Sequence, residues 1–72
     1  MNIEEIGRLV KHRRKVLGLT TRELADITGM SKTTISQVEL GAGNPTFEVL
    51  QTILEYLNLE IKVEVKDVNY KI

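Results

Sequence analysis

The hydrogen-bonding chemistry of this chain is concentrated in the run S-K-T-T-I-S-Q-V-E, residues 31–39. Read as a helix anchored by Ile35 and Val38, the run leaves Lys32, Thr33, Ser36 and Gln37 on its exposed face. These side chains offer donors and acceptors with little net charge. A plain surface helix carries more Glu and Lys. A helix that enters a groove of base edges needs this kind of set, because each base pair presents a pattern of donors and acceptors. Other chemistry is poorly served. The chain has no recognisable carboxylate pair, no nucleophile–base spacing and no Gly-rich phosphate motif, since Gly41-x-Gly43 is not followed by Lys-Ser/Thr. It has no Cys, and the lone His12 reads as a surface residue, so neither a metal site nor another cofactor is expected. The chain is expected not to be an enzyme.

A helix-turn-helix must bring its second helix close across its first. That crossing needs a small residue midway along the preceding helix, and Ala25 sits there. It also needs a turn with positive φ, which Gly29 can supply four residues later. Thr20-Thr21-Arg22-Glu23 is a capping box that starts a short helix over 21–28. Ser31 caps the next helix and Gly41 ends it. Residues 41–45 form a loop by composition, and Thr46 caps a fourth helix with the stripe Phe47, Leu50, Ile53, Leu54 and Leu57. Upstream, Asn2 with Glu5 opens a helix over about residues 3–17, with Ile3, Ile6, Leu9, Val10, Val16 and Leu17 at helical spacing. After Asn58 the period changes. Leu59, Ile61, Val63 and Val65 alternate with Glu60, Lys62, Glu64 and Lys66, the pattern of a half-buried strand. The expected fold class is all-α: a small helix-turn-helix bundle of four helices plus one C-terminal β-strand. The expected organisation is a helix-turn-helix domain at 1–58, a dimerisation strand at 59–68 and a tail at 69–72.

At 72 residues the chain is one domain. A core of this size supplies only about 3–5 kcal/mol, so small scaffolds need a further staple. With no Cys for a disulfide, oligomerisation is the staple left. A lone strand has no partner within the chain, and a two-fold axis provides its copy. Antiparallel pairing centred on Val63 sets Glu60 against Lys66, Lys62 against Glu64 and Ile61 against Val65; neighbouring centres set like charges opposite each other. Burial of Ile61, Val63 and Val65 would drive this association. Net charge is zero, yet residues 1–40 carry seven cations against five anions and residues 41–72 three against five. The basic run Lys11 to Lys15 reads equally as a solvated face near a helix C-terminus or as a set of phosphate contacts. Apolar runs are too short to span a membrane. Asn2, Glu4 and Glu5 occupy the place of a basic n-region, so no signal peptide is expected. The absence of Cys fits a reducing, cytoplasmic location.

The stretch GLTTRELADITGMSKTTISQVELGAGNPTFEVLQTILEYLNL, Gly18 to Leu59, resembles the phage-repressor-like Xre/Cro helix-turn-helix regulators. The resemblance rests on GLT before the second helix, ELA with Gly four residues beyond its Ala, S-x-x-T-I-S-x-x-E, and G-x-x-N-P-T opening the fourth helix. It implies a sequence-specific DNA-binding transcriptional regulator, a repressor acting as a homodimer on an inverted-repeat operator. Lys32, Thr33 and Gln37 fall where the family reads bases, with Ser36 beside them. Thr21, Ser31, Asn44 and Thr46 fall where it contacts phosphates. Arg14 and Glu39 match a pair that ties the first helix to the end of the third. The chain departs from the pattern at Thr21, usually Gln, at Ala42 and Gly43, often Lys or Arg, and at Leu40, usually polar; these changes shift more of the binding onto the dimer. The C-terminal segment L-E-I-K-V-E-V resembles the strand of HipB-type antitoxins, which hold a toxin kinase as well as their operator. An antitoxin with a toxin protein as partner is therefore the alternative, and a restriction-modification controller is a third possibility.

Overall fold

The computed structural model describes residues 1–66. The expected tail at 69–72 and the last two residues of the expected strand segment lie outside the described residues. Four helices follow one another: α1 Ile3–Val16, α2 Thr21–Thr28, α3 Lys32–Leu40 and α4 Phe47–Tyr56. Their starts are set by local hydrogen bonds. Asn2 Oδ1 accepts from the Glu5 N–H at 2.8 Å while Glu5 Oε1 accepts from the Asn2 N–H at 3.2 Å. Thr20 and Glu23 make the same reciprocal box at 3.0 and 2.8 Å. Each box satisfies two backbone donors that the first helical turn leaves without partners. Ser31 and Thr46 cap α3 and α4 through the N–H groups of Thr34 and Val49, each at 3.1 Å.

The turn between α2 and α3 closes on Gly29 at φ 73°. Its neighbour Met30 donates its N–H to the Ala25 carbonyl at 2.9 Å. A side chain at this φ is strained, and a β-branched one most of all. The core gathers Val10, Leu24, Ala25, Ile35, Val38, Leu50, Ile53, Leu54 and Leu57 from all four helices. α3 lies between α1 and α2, and α2 also packs on α4.

The seam of α1 differs from the expected apolar stripe. Its buried residues are Gly7, Val10 and Arg14, with Ile3 and Ile6 partly buried. Leu9, Val16 and Leu17 are exposed. The reason is the closeness of α1 to α3. A Cβ at Gly7 would lie 2.3 Å from the Val38 carbonyl oxygen and 2.8 Å from that of Glu39. The helix therefore turns its glycine and an arginine toward α3 and leaves bulkier Leu9 outside. Phe47, read as a member of the apolar stripe of α4, is also exposed, as is Leu40.

The expected strand is not formed: residues 59–66 carry no regular secondary structure, and no strand occurs among the described residues. A strand is defined by ladder hydrogen bonds, and among the described residues the segment has no neighbour to make them. Leu59 packs against the core, while Ile61, Val63 and Val65 are exposed.

Candidate nucleic-acid interface

α3 has one buried and one free face. Ile35 and Val38 are sunk in the core, while Lys32, Thr33 and Gln37 are exposed and Ser36 is half-buried. At its N-terminus the Ser31 hydroxyl does two things. It accepts the Thr34 N–H and lies 3.0 Å from the Thr34 hydroxyl, so one of the two hydroxyls donates to the other. Thr34 continues into a shallow groove between α3 and the start of α4, lined by Gln37, Ala42, Asn44, Pro45 and Thr46 as well. Gln37, Asn44 and Thr46 thus come from three successive elements to one groove. The backbone of Gly43 lies beside Gln37: a Cβ there would sit 3.4 Å from Gln37 Oε1. The Thr46 hydroxyl accepts the Val49 N–H, which leaves its own proton free to donate outward. Thr21, half-buried in the first turn of α2, does not line this groove. Thr34 was missed in the sequence because it reaches this groove only once α4 starts beside α3. Its position three residues after the Ser31 cap was the available signal.

The charged residues behind this face are locked into the fold. Arg14 donates Nε–H to Glu39 Oε2 at 2.6 Å, a second N–H to Glu39 Oε1 at 3.0 Å and a third to the Leu19 carbonyl at 2.8 Å. Both side chains are about nine-tenths buried or more. The hydrogen bond to Glu39 raises the Arg14 pKa above its ordinary value, burial opposes that rise, and the Glu39 charge adds to it. Among the described residues no buried side-chain nitrogen or oxygen lacks a partner. This bidentate pair joins α1 to α3 at the end of the helix whose outer face is polar. Arg13, one of the basic run open to either reading, donates Nε–H to the Leu57 carbonyl at 2.9 Å. Lys11, His12 and Lys15 are exposed. No sequence signal pointed to the Arg13 contact, which spans 44 positions.

This arrangement is a helix-turn-helix whose second helix carries an exposed polar face, flanked by helix N-termini that present hydroxyl and amide groups. The helix-turn-helix family model matches residues 10–63, and the chain belongs to that family, the Xre type of DNA-binding transcription regulators. The chain is similar to the ImmF control region 10 kDa protein of Bacillus phage phi105. The two are 35% identical over 60 residues, which cover 83% of this chain and 67% of that protein. No helix among the described residues is long and apolar enough to cross a membrane.

Proposed function

We propose that this protein is a repressor that binds an inverted-repeat operator as a homodimer in the cytoplasm. The observation that carries this reading is the convergence of Gln37, Asn44 and Thr46 on one groove beside the free polar face of α3. In this reading α3 enters the major groove of each half-site, where Lys32, Thr33, Ser36 and Gln37 meet base edges. Thr21, Ser31, Asn44 and Thr46 meet phosphates from the N-terminal ends of α2, α3 and α4 and the loop before α4, where uncommitted donors favour anions. Membership of a DNA-binding family and the similarity to a phage control-region protein support it.

The dimer is built from residues 59–66. Ile61, Val63 and Val65 are exposed, and Ile61 and Val63 border a groove of mixed polarity that runs along α4 past Phe47, Gln51, Leu54 and Glu55. A second copy of the segment, antiparallel and centred on Val63, pairs Lys62 with Glu64 and Glu60 with Lys66 and brings apolar side chains to one face. The present Lys62–Glu60 contact, 3.9 Å long and solvent-exposed, is too weak to compete with that pairing. Such a ribbon sets the two α3 helices about one DNA turn, roughly 34 Å, apart.

Selection of bound sequences from random duplex DNA tests the whole reading. An enriched inverted repeat is the expected result. Enrichment of a single, unrepeated half-site would refute the dimer, and no enrichment at all would refute sequence-specific binding. A toxin protein that co-purifies with the chain from native cells would instead favour the antitoxin alternative.

A further inference from the structure

Two consecutive arginines on the last turn of α1 hold two different parts of the molecule. Arg14 grips Glu39 on the recognition helix. Arg13 grips the carbonyl of Leu57, the residue that caps the C-terminus of α4. The chain just beyond is closed by two further bonds: Asn58 N–H to the Glu55 carbonyl at 3.1 Å and Leu59 N–H to the Leu54 carbonyl at 2.8 Å. Asn58 sits in the left-handed region at φ 59°. Together these form a Schellman closure, which satisfies the carbonyls of Leu54 and Glu55 and leaves that of Leu57 to an outside donor. A guanidinium is well suited to that place, because a cation is favoured at the negative end of a helix. The direction in which the chain leaves the bundle at Leu59 is therefore tied to the same turn of α1 that holds α3.

We propose that Arg13 is a positioning residue for operator spacing: it couples the root of the C-terminal arm, through the last turn of α1, to the recognition helix. The inference rests on the proposed dimer, in which the arms join the two copies. With Arg13 in place, arm and recognition helix keep one mutual angle, and the two α3 helices keep one separation. Without it the arm root is held by its backbone closure alone, and the pair of helices accepts a wider range of separations. α3 itself stays in place, because Arg14, Glu39 and the core hold it independently.

The experiment uses the full chain and the variants R13M and R13K. Affinity is measured for the selected inverted repeat, for repeats with a base pair added or removed between the half-sites, and for an isolated half-site. The wild type should prefer one spacing sharply. In R13M that preference should fall about tenfold, while affinity for the isolated half-site stays within about twofold. R13K, which keeps the charge and a donor, should recover part of the preference. An R13M variant that keeps the wild-type spacing preference would overturn the inference. So would one that weakens all duplexes equally, as a purely stabilising residue would. A second measurement does not depend on R13M folding: the Arg13 Hε proton of the wild type should exchange slowly with solvent, and rapid exchange would overturn the coupling. A wild type that is monomeric on every duplex removes the proposed dimer and this inference with it. A dimeric wild type whose spacing preference survives in R13M removes the inference alone.

Discussion

The helical bundle and the segment that follows it are built from the same kinds of residue and behave differently. Val10, Leu24, Ile35, Ile53 and Leu57 have no exposed surface, whereas Val63 is 94% and Val65 79% exposed. The difference is not hydrophobicity but the presence of a partner. Helices close their own backbone hydrogen bonds and then need only each other's apolar faces. An extended segment needs another edge before its backbone hydrogen bonds can close. Fully burying a Val returns about 1.5–3 kcal/mol, so in the proposed dimer the exposed segment would hold the drive for association, and the bundle the proposed DNA-binding face. Changes in the core of the bundle should therefore appear first in stability, and changes in the segment first in stoichiometry and affinity.

The largest effect should come from removing the segment. Truncation after Leu59 keeps the closure of α4 and deletes the exposed valines. Operator affinity should fall by about two to four orders of magnitude, since the second half-site is no longer bound intramolecularly. The thermal midpoint should fall and lose its dependence on protein concentration, and sedimentation should report a monomer. A truncated chain that still dimerises would break the division of labour between the two regions.

Within the bundle, Glu39→Ala leaves the Arg14 charge buried without its carboxylate, which costs about 3–5 kcal/mol in chemical denaturation. The pH dependence has a definite sign. The raised Arg14 pKa contributes stability that is present below the unfolded value and is lost only as pH rises through the folded one. The difference in stability between wild type and Glu39→Ala should therefore stay constant as pH is raised from neutrality to about 10. A difference that declines over that range would show that the pair is not held as described.

Gly7→Ala should cost about 1–3 kcal/mol or more, because its new methyl meets backbone oxygen rather than a movable side chain. Ala substitution at exposed Leu9 should be nearly neutral, and the contrast between the two measures how tightly α1 is set on α3. Equal effects at both positions would contradict the close seam.

Smaller effects belong to the DNA-facing side. Gln37→Ala should cost about 1–3 kcal/mol on the operator and relax preference at a single base pair per half-site, with an unaltered melting temperature. An equal loss on operator and random DNA would remove Gln37 from base reading. Asn44→Ala should weaken specific and random binding alike, by about 1 kcal/mol, and leave the salt slope unchanged, because a neutral amide releases few counterions. A changed base preference in that variant would contradict a phosphate role.

The sequence by itself determined the four helices and where they start. The boxes at Asn2/Glu5 and Thr20/Glu23, the caps at Ser31 and Thr46 and the left-handed turn at Gly29 are hydrogen bonds and dihedrals that span three or four residues. Their spacing is written in the chain and needs no knowledge of the rest. The polar outer face of α3 was legible for the same reason, since a helical period sorts Ile35 and Val38 from Lys32, Thr33 and Gln37. Tertiary structure alone decided the rest. The seam of α1 runs through Gly7 and Arg14 rather than Leu9, because backbone approach, not apolar area, sets which face turns inward. Thr34 joins Gln37, Asn44 and Thr46 at one groove only once α4 starts beside α3. Arg13 reaches Leu57 across 44 positions, a contact no local pattern encodes. For residues 59–66 the alternating pattern states a capacity to pair, and a capacity to pair becomes a strand only where a second edge supplies the other half of each hydrogen bond.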